Sequence, residues 1–441
     1  MTLRSLFVDF NSYFASVEQQ DDPTLRGRPV GVVPVLAETT CCIAASVEAK
    51  RFRVKTGTLV REARELCPEL VIVQARPAIY VHYHHRLKKA IESCIPISHV
   101  GSIDEVDCDL IGRERQRENA VAIASNIKEA VHAVGDWLRC SIGIAPNSFL
   151  AKTASDMRKP DGLVVLEEKD LPDALFELKL NDLCGVGWNM EERLRAHGIH
   201  TIEQLCMAPA ARLREVWGSI EGERFHARLH GEIVELSPSK QSSIGHSHVL
   251  APEFRNAEGA NAVLKKLLQK AAMRLRDAGL VAGAMRVKVK YIGGEPWECA
   301  IRLDDSDDTR LMLRLLTQAL AQRRDRRPLL AVGVTLIHLN PRGHTSGSLF
   351  ADEHGGRELN TLIDRINRKY GNNKIYFGGA QEALEAAPMR ISFNRIPDAA
   401  LEDEAEKNTL WLKRLNQFKV LAEAEHKKAE AKRGMRTRDF S

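Results

Sequence analysis

Apolar and polar positions alternate along this chain in two rhythms. Short runs of period two read as strands, and runs with apolar residues three and four apart read as helices. Leu6-Phe7-Val8 is a β-prone run that ends at Asp9, and residues 11–18 follow as a helix with Tyr13, Phe14 and Val17 along one side. The same pattern predicts strands at 29–36 and 70–73, a helix starting at Val47 that Gly57 breaks, and a short helix over 59–66. A long amphipathic helix is expected over 79–91. Its His82, His84 and His85 do not gather on one ligand face at helical spacing, so they are expected at the surface. A β-prone segment at 95–100 precedes Val106-Asp107-Cys108-Asp109-Leu110, where apolar and acidic residues alternate as in a half-buried strand. A helix over 118–137, a strand over 140–144, a helix over 147–157 and a short strand at 164–165 complete an α+β pattern.

Beyond this the rhythm changes. Leu183-Cys184-Gly185-Val186-Gly187 leads into a helix over 189–196, and three further helical stretches make a small helical unit. A Gly-x-Gly turn lets backbone amides approach a phosphate, and it also serves in purely structural turns. Residues 237–245 read as a linker. Strand 246–250, helix 256–278, strand 284–291, strand 297–303, helix 309–321 and strand 331–339 then follow in β-α-β-β-α-β order. In strand 284–291, Met285, Val287 and Val289 alternate with Arg286, Lys288 and Lys290, so an apolar face backs a basic one suited to a nucleic-acid backbone. A helix is expected over 356–370, and the tail from 401 is highly charged.

Composition narrows the class. A chain of 441 residues needs more than one core, and 44% apolar with 28% charged residues describes a folded protein. The net charge of +5 suits a polyanion partner without establishing one. Nine scattered cysteines with no CxxC pair, and an N-terminus too short in apolar character for a signal peptide, predict reduced thiols in a cytoplasm. No run is long enough to span a bilayer.

The candidate chemistry centres on Ser102-Ile103-Asp104-Glu105. Adjacent carboxylates at a strand mouth repel unless a positive charge sits between them. A hard divalent cation such as magnesium answers that need, and so does a solvated turn. Asp9 stands at another strand end, as a metal ligand or as a helix cap, with the Phe10 carbonyl beside it.

Together these motifs resemble the Y-family, translesion DNA polymerases of the UmuC/DinB type. The resemblance is carried in order and spacing by Asp9 with Tyr13-Phe14-Ala15-Ser16-Val17-Glu18, by Val47-Glu48-Ala49-Lys50 with Val54-Lys55-Thr56-Gly57, and by Ser102-Ile103-Asp104-Glu105. Ser141-Ile142-Gly143-Ile144-Ala145 and the stretch from Ala151-Lys152 through Lys159-Pro160-Asp161-Gly162 complete it. It spans about residues 6–339, with a weaker match to about 377. The resemblance implies a right-hand polymerase with a palm at 1–22 and 75–165, small fingers at 23–74, a helix-hairpin-helix thumb at 166–238 and a little finger at 240–340. Residues 341–441 form a C-terminal extension with a helix and a charged tail.

The resemblance also implies the chemistry. Asp9, Asp104, Glu105 and the Phe10 carbonyl would hold two magnesium ions, with manganese as a substitute, for nucleotidyl transfer from a deoxynucleoside triphosphate to a primer 3′-hydroxyl. Phe14 matches the aromatic steric gate against ribose. Tyr13, Lys50, Arg51 and Lys159 fall around the nucleotide, and Gly185, Gly187, Arg286, Lys288 and Lys290 along the DNA. The implied partners are primer–template DNA, a sliding clamp and SOS accessory proteins, for a chain acting as a monomeric polymerase subunit. The region after the little finger looks closer to the catalytic subunit of the bacterial SOS polymerase. There Leu349-Phe350 resembles the end of a clamp-binding peptide, although Ser346 stands where its glutamine belongs. Two departures concern the nucleotide: Val47 and Lys50 occupy positions where many relatives carry Tyr and Arg, which predicts altered triphosphate binding. Asn11 replaces the second acid of a common Asp-x-Asp start, as in the SOS subunit. The rival reading is a noncatalytic or weakly active DNA-binding subunit of a damage-bypass complex, which would not be expected to keep all three carboxylates.

Overall fold

The structure, a computed structural model, describes residues 2–234, 241–325, 327–344, 352–370, 373–384, 386, 391 and 396. It starts with β1 (Ser5–Phe10), buried along its whole length, and α1 (Tyr13–Asp21). A small unit follows: β2 (Val30–Val33), β3 (Ala44–Ala45), α2 (Val47–Arg51), α3 (Val60–Leu66) and β4 (Val71–Gln74). Its three-stranded sheet in the order β3-β2-β4 covers its own core, which includes Val33, Cys42, Val54 and Ile72. The chain then returns with α4 (Pro77–Glu92), β5 (His99–Val100), β6 (Glu105–Asp109), α5 (Arg117–Val134), β7 (Cys140–Ala145), α6 (Ser148–Met157) and β8 (Leu163–Val165).

These strands make a five-stranded sheet in the order β5-β6-β1-β7-β8, with β1 antiparallel to both β6 and β7. Strand parity decides what each face carries. Leu6, Val8 and Phe10 join Val106 and Cys108 in a core shared with Leu87 and Ile91 of α4 and Ile127 of α5. Phe7 packs instead with Leu150, Ala151 and Ala154 of α6. The odd-numbered residues of β1 and β6, Asp9 and Glu105 among them, therefore belong to the α6 face. Gly143 on β7 allows α6 to lie this close, since a Cβ there would meet the Ala151 carbonyl oxygen at 1.9 Å.

Four helices follow: α7 (Trp188–Ala196), α8 (Ile202–Met207), α9 (Ala210–Trp217) and α10 (Glu221–Leu229). Their core is continuous with that of α6, and Phe149 meets Phe225 edge-on at 5.2 Å. Next come β9 (Ser243–Val249), α11 (Ala257–Asp277), β10 (Leu280–Tyr291), β11 (Trp297–Ser306), α12 (Thr309–Ala321) and β12 (Leu329–Pro341). The β-α-β-β-α-β order is as expected, and it closes an antiparallel sheet in the order β11-β10-β12-β9. Strand β9 begins at Ser243, inside the stretch that composition marks as a linker.

A last helix, α13 (Asp352–Tyr370), docks beside α12. Arg276 of α11 grips Asp364 through two hydrogen bonds of 2.6 and 2.8 Å, and Asn360 donates to Asp308 at 3.0 Å. The buried ammonium of Lys266 donates to the carbonyls of Leu384 and Ala386 at 2.6 and 2.7 Å. The segment after the sheet domain is thus anchored to its helical face by buried polar contacts, which hydrophobic patterning cannot show. The expected charged tail from 401 and the clamp-like Leu349 and Phe350 lie outside the described residues.

Candidate active site

Asp9 near the end of β1 and Glu105 at the start of β6 are register partners, so two acids far apart in sequence stand side by side. Asp104 is held next to them. Its carbonyl accepts the Phe10 N–H at 2.9 Å, and its carboxylate accepts the Ser102 hydroxyl at 2.5 Å. Burial raises the Asp104 pKa; the Ser102 hydrogen bond opposes this, and the charges of Asp9 and Glu105 raise it further. Behind the turn, His84 is buried with Nδ1 2.7 Å from the Ile103 carbonyl oxygen. The expectation of a surface histidine is corrected here: α4 turns His84 inward, and the carbonyl satisfies its ring nitrogen.

The positive charge that this crowding requires comes from two lysines. Lys152 of α6 places its ammonium 2.5 Å from Asp9, 2.7 Å from Glu105 and 3.4 Å from Asp156. Lys159, just after α6, reaches Asp9 and Asp156, each at 2.6 Å. Burial alone would lower the Lys152 pKa, but Asp9, Asp156 and Glu105 outweigh it and hold the ammonium charged. The sequence marks Lys152 only as part of the 151–162 motif, with no role of its own. Its i,i+4 spacing to Asp156 was visible, but its other partners arrive from distant strands.

Lys152→Met should therefore leave three close carboxylates without their buried cation. We expect a loss of about 3 kcal/mol in urea unfolding at neutral pH. The folded pKa of Lys152 is raised, so its contribution is fully present below the ordinary lysine range and is lost only as pH rises through the higher folded value. The difference between wild type and variant should thus be constant on the alkaline side of neutrality until that range is reached.

Among the described residues no group of three or more His, Cys, Asp or Glu is already gathered as a metal-holding set. The donor chemistry nevertheless fits hard divalent cations: Asp9, Asp104 and Glu105 offer oxygens only, and two ammonium groups lie among the acids.

Phe14 stands in the first turn of α1, shortly after Asp9 in the chain, with its ring stacked on Tyr80 at 4.4 Å and 12°. The Tyr80 hydroxyl donates to buried Glu18 at 2.6 Å, and Arg76 pairs with both Glu18 and Asp21. Tyr13 is placed differently from the expected nucleotide contact: it is buried, and its hydroxyl donates to the Tyr80 carbonyl at 2.6 Å. It supports the ring platform from behind. The Phe10 ring is buried against Tyr13 at 5.7 Å. Across the site, Lys50 is exposed on α2, and partial desolvation lowers its pKa, the charge of Lys159 lowers it further, and Asp9 opposes. Lys50 therefore shares the electrostatic field of the acids. Arg51 is exposed one residue on, and Val47 opens α2 with no side-chain donor.

Gly185 adopts φ 84°, and neither it nor Gly187 has an atom within 4 Å of where a Cβ would be, so this turn is open to a close approach. On β10, Met285, Val287 and Val289 are buried while Arg286 and Lys290 are exposed, and Lys288 pairs with Glu298 at 2.5 Å. No helix among the described residues is long and apolar enough to cross a membrane.

Residues 8–156 match the impB/mucB/samB family, 241–349 its C-terminal domain, and 181–232 the thumb domain of DNA polymerase iota. DNA polymerase IV of Moorella thermoacetica is 33% identical over 382 residues, covering 84% of this chain and 94% of that protein. DNA polymerase IV of Pelotomaculum thermopropionicum is 32% identical, covering 84% and 93%. A solved Y-family polymerase chimera of Dbh and Dpo4 shares the fold with a TM-score of 0.63 at 23% identity, over 76% of this chain and 99% of that one. The fold and these matches together define an enzyme of the right-hand polymerase class, with palm, thumb and little-finger architecture. The chain belongs to the Y-family of DNA polymerases, of the DinB/UmuC type.

Proposed function

We infer that this chain is a template-directed, low-fidelity translesion DNA polymerase that transfers a nucleotide from a deoxynucleoside triphosphate to a primer 3′-hydroxyl. The observation that carries the reading is the meeting of Asp9, Asp104 and Glu105 at the ends of two neighbouring inner strands, with Lys152 and Lys159 among them. Asp9, Asp104, Glu105 and the Phe10 carbonyl are assigned to two magnesium ions, with manganese able to substitute. Bound there, the metals would lower the pKa of the primer hydroxyl and stabilise charge on the leaving pyrophosphate. Ser102 fixes the Asp104 carboxylate. Lys159, Lys50 and Arg51 supply positive charge for the triphosphate, and Phe14 sets the sugar. Gly185 and Gly187 offer backbone amides to DNA phosphates, while Arg286, Lys288 and Lys290 track the backbone from the sheet domain. The palm is assigned to 1–22 and 75–165, the fingers to 23–74, the thumb to 166–238 and the little finger to 240–340.

The purified chain should extend a primer on a template in magnesium and pass a damaged base, with mismatched products detectable. No extension in magnesium or manganese, with DNA still bound, would favour the noncatalytic reading. Leu349 and Phe350 are assigned to a sliding clamp on their sequence alone. Deleting 348–350 should remove most clamp stimulation in a primer-extension assay while leaving clamp-free extension unchanged.

A further inference from the structure

Asn11 is the residue that departs from an acidic pair, and it is buried two positions beyond Asp9. Both ends of its amide are used. Nδ2 donates to the Ser141 hydroxyl oxygen at 3.0 Å, and Oδ1 accepts the backbone N–H of Asp161 at 2.7 Å. The Ser141 hydroxyl oxygen also accepts the N–H of Gly162 at 3.2 Å. The Asn11 main chain is fixed in turn, with its N–H on the Arg139 carbonyl at 2.9 Å and its carbonyl accepting the Ser16 hydroxyl at 2.8 Å. One amide therefore joins β1 and β7 to the turn that carries Lys159.

That turn needs holding. Asp161 has φ 58°, a left-handed conformation costly for a residue with a Cβ. Gly162 has no room for a side chain, since a Cβ would lie 2.1 Å from the Arg158 carbonyl oxygen. Lys128 and Arg139 hold the Asp161 carboxylate at 2.5 and 3.0 Å, which leaves the backbone amides of the turn to Asn11 and Ser141. An aspartate at position 11 could accept from Asp161 and, as Oδ1 does at 3.3 Å, from the Ser141 hydroxyl, but it could not donate to Ser141, and it would add a buried negative charge near Asp9.

We propose that Asn11 is a positioning residue for the incoming triphosphate: its amide, with Ser141, sets the turn that aims Lys159 at the site where the triphosphate binds. This rests on the reading of Lys159 as a triphosphate contact, and it adds a structural role for the asparagine that replaces the acid. The effect should appear in nucleotide binding more than in turnover.

The test is a double-mutant cycle read in steady-state primer extension of the full chain. Lys159→Ala alone tests the underlying reading and should raise KM for the deoxynucleoside triphosphate. Asn11→Leu should raise KM about 10-fold, the order expected for leaving one buried amide unpaired, with kcat changed less. In the Lys159→Ala background Asn11→Leu should add little further, because the residue it positions is gone. If Lys159→Ala leaves KM unchanged, the reading of Lys159 fails. If Lys159→Ala raises KM but Asn11→Leu does not, or if the two effects are fully additive, the positioning role is overturned. Thermal melts accompany the series. If Asn11→Leu does not fold, Ser141→Ala is taken through the same cycle, where a KM rise that vanishes without Lys159 supports the role and an additive or absent rise overturns it.

Discussion

Asp104→Ala combined with Glu105→Ala should abolish magnesium-dependent primer extension, with a loss of roughly 10³-fold or more, while primer–template binding stays close to wild type. The magnitude follows from losing metal stabilisation of the reacting oxygens, worth several kcal/mol at about tenfold per 1.36 kcal/mol. Binding is spared because the positive surface assigned to DNA lies elsewhere: Arg286 and Lys290 are exposed on the sheet domain, and the Gly185 turn belongs to the four-helix unit. Folding should also survive. Glu105 is only partly buried, and removing both acids relieves the repulsion that raises Asp104. The ammonium of Lys152 would keep Asp9 and Asp156 as partners. Primer extension beside a DNA-binding titration checks both halves, and retained extension would remove these acids from the reaction.

The parts of this fold that the sequence shows are those set by local periodicity. Strand β10 is legible because buried Met285, Val287 and Val289 alternate with basic residues, and the β-α-β-β-α-β order follows from six such segments. The acids at 104 and 105 are visible because unpaired carboxylates at a strand mouth demand an explanation. What the sequence hides depends on contacts between distant segments. His84 lies on a helix where polar and apolar residues mix, so periodicity does not show which side turns inward to Ile103. The resemblance sets Tyr13 around the nucleotide, but its hydroxyl is taken by a carbonyl of α4. Lys152 reads as one more helix charge until β1 and β6 bring Asp9 and Glu105 to it. Asn11 reads as a missing acid, whereas its amide joins three segments by donating and accepting at once.

Phe14→Ala should increase ribonucleotide incorporation relative to deoxyribonucleotide incorporation by about 10²-fold, the upper part of the range by which a pocket discriminates small steric differences. The argument rests on rigidity as much as on ring size. A phenylalanine excludes a 2′-hydroxyl only if its ring cannot swing aside, and Phe14 is backed by Tyr80 at 4.4 Å. Tyr80 is itself fully buried, tied to Glu18, and Glu18 to Arg76, so the platform gives little. Burial raises the Glu18 pKa, which the hydrogen bonds from Arg76 and Tyr80 oppose, so those bonds favour the charged acid that anchors the platform. The alanine variant keeps this platform intact and removes only the ring. Ribonucleotide use should therefore improve mainly through KM for the ribonucleotide, with turnover of the deoxynucleotide nearly preserved. Incorporation of paired ribo- and deoxyribonucleoside triphosphates opposite one template base measures the ratio. An unchanged ratio would show that Phe14 does not set sugar choice in this enzyme.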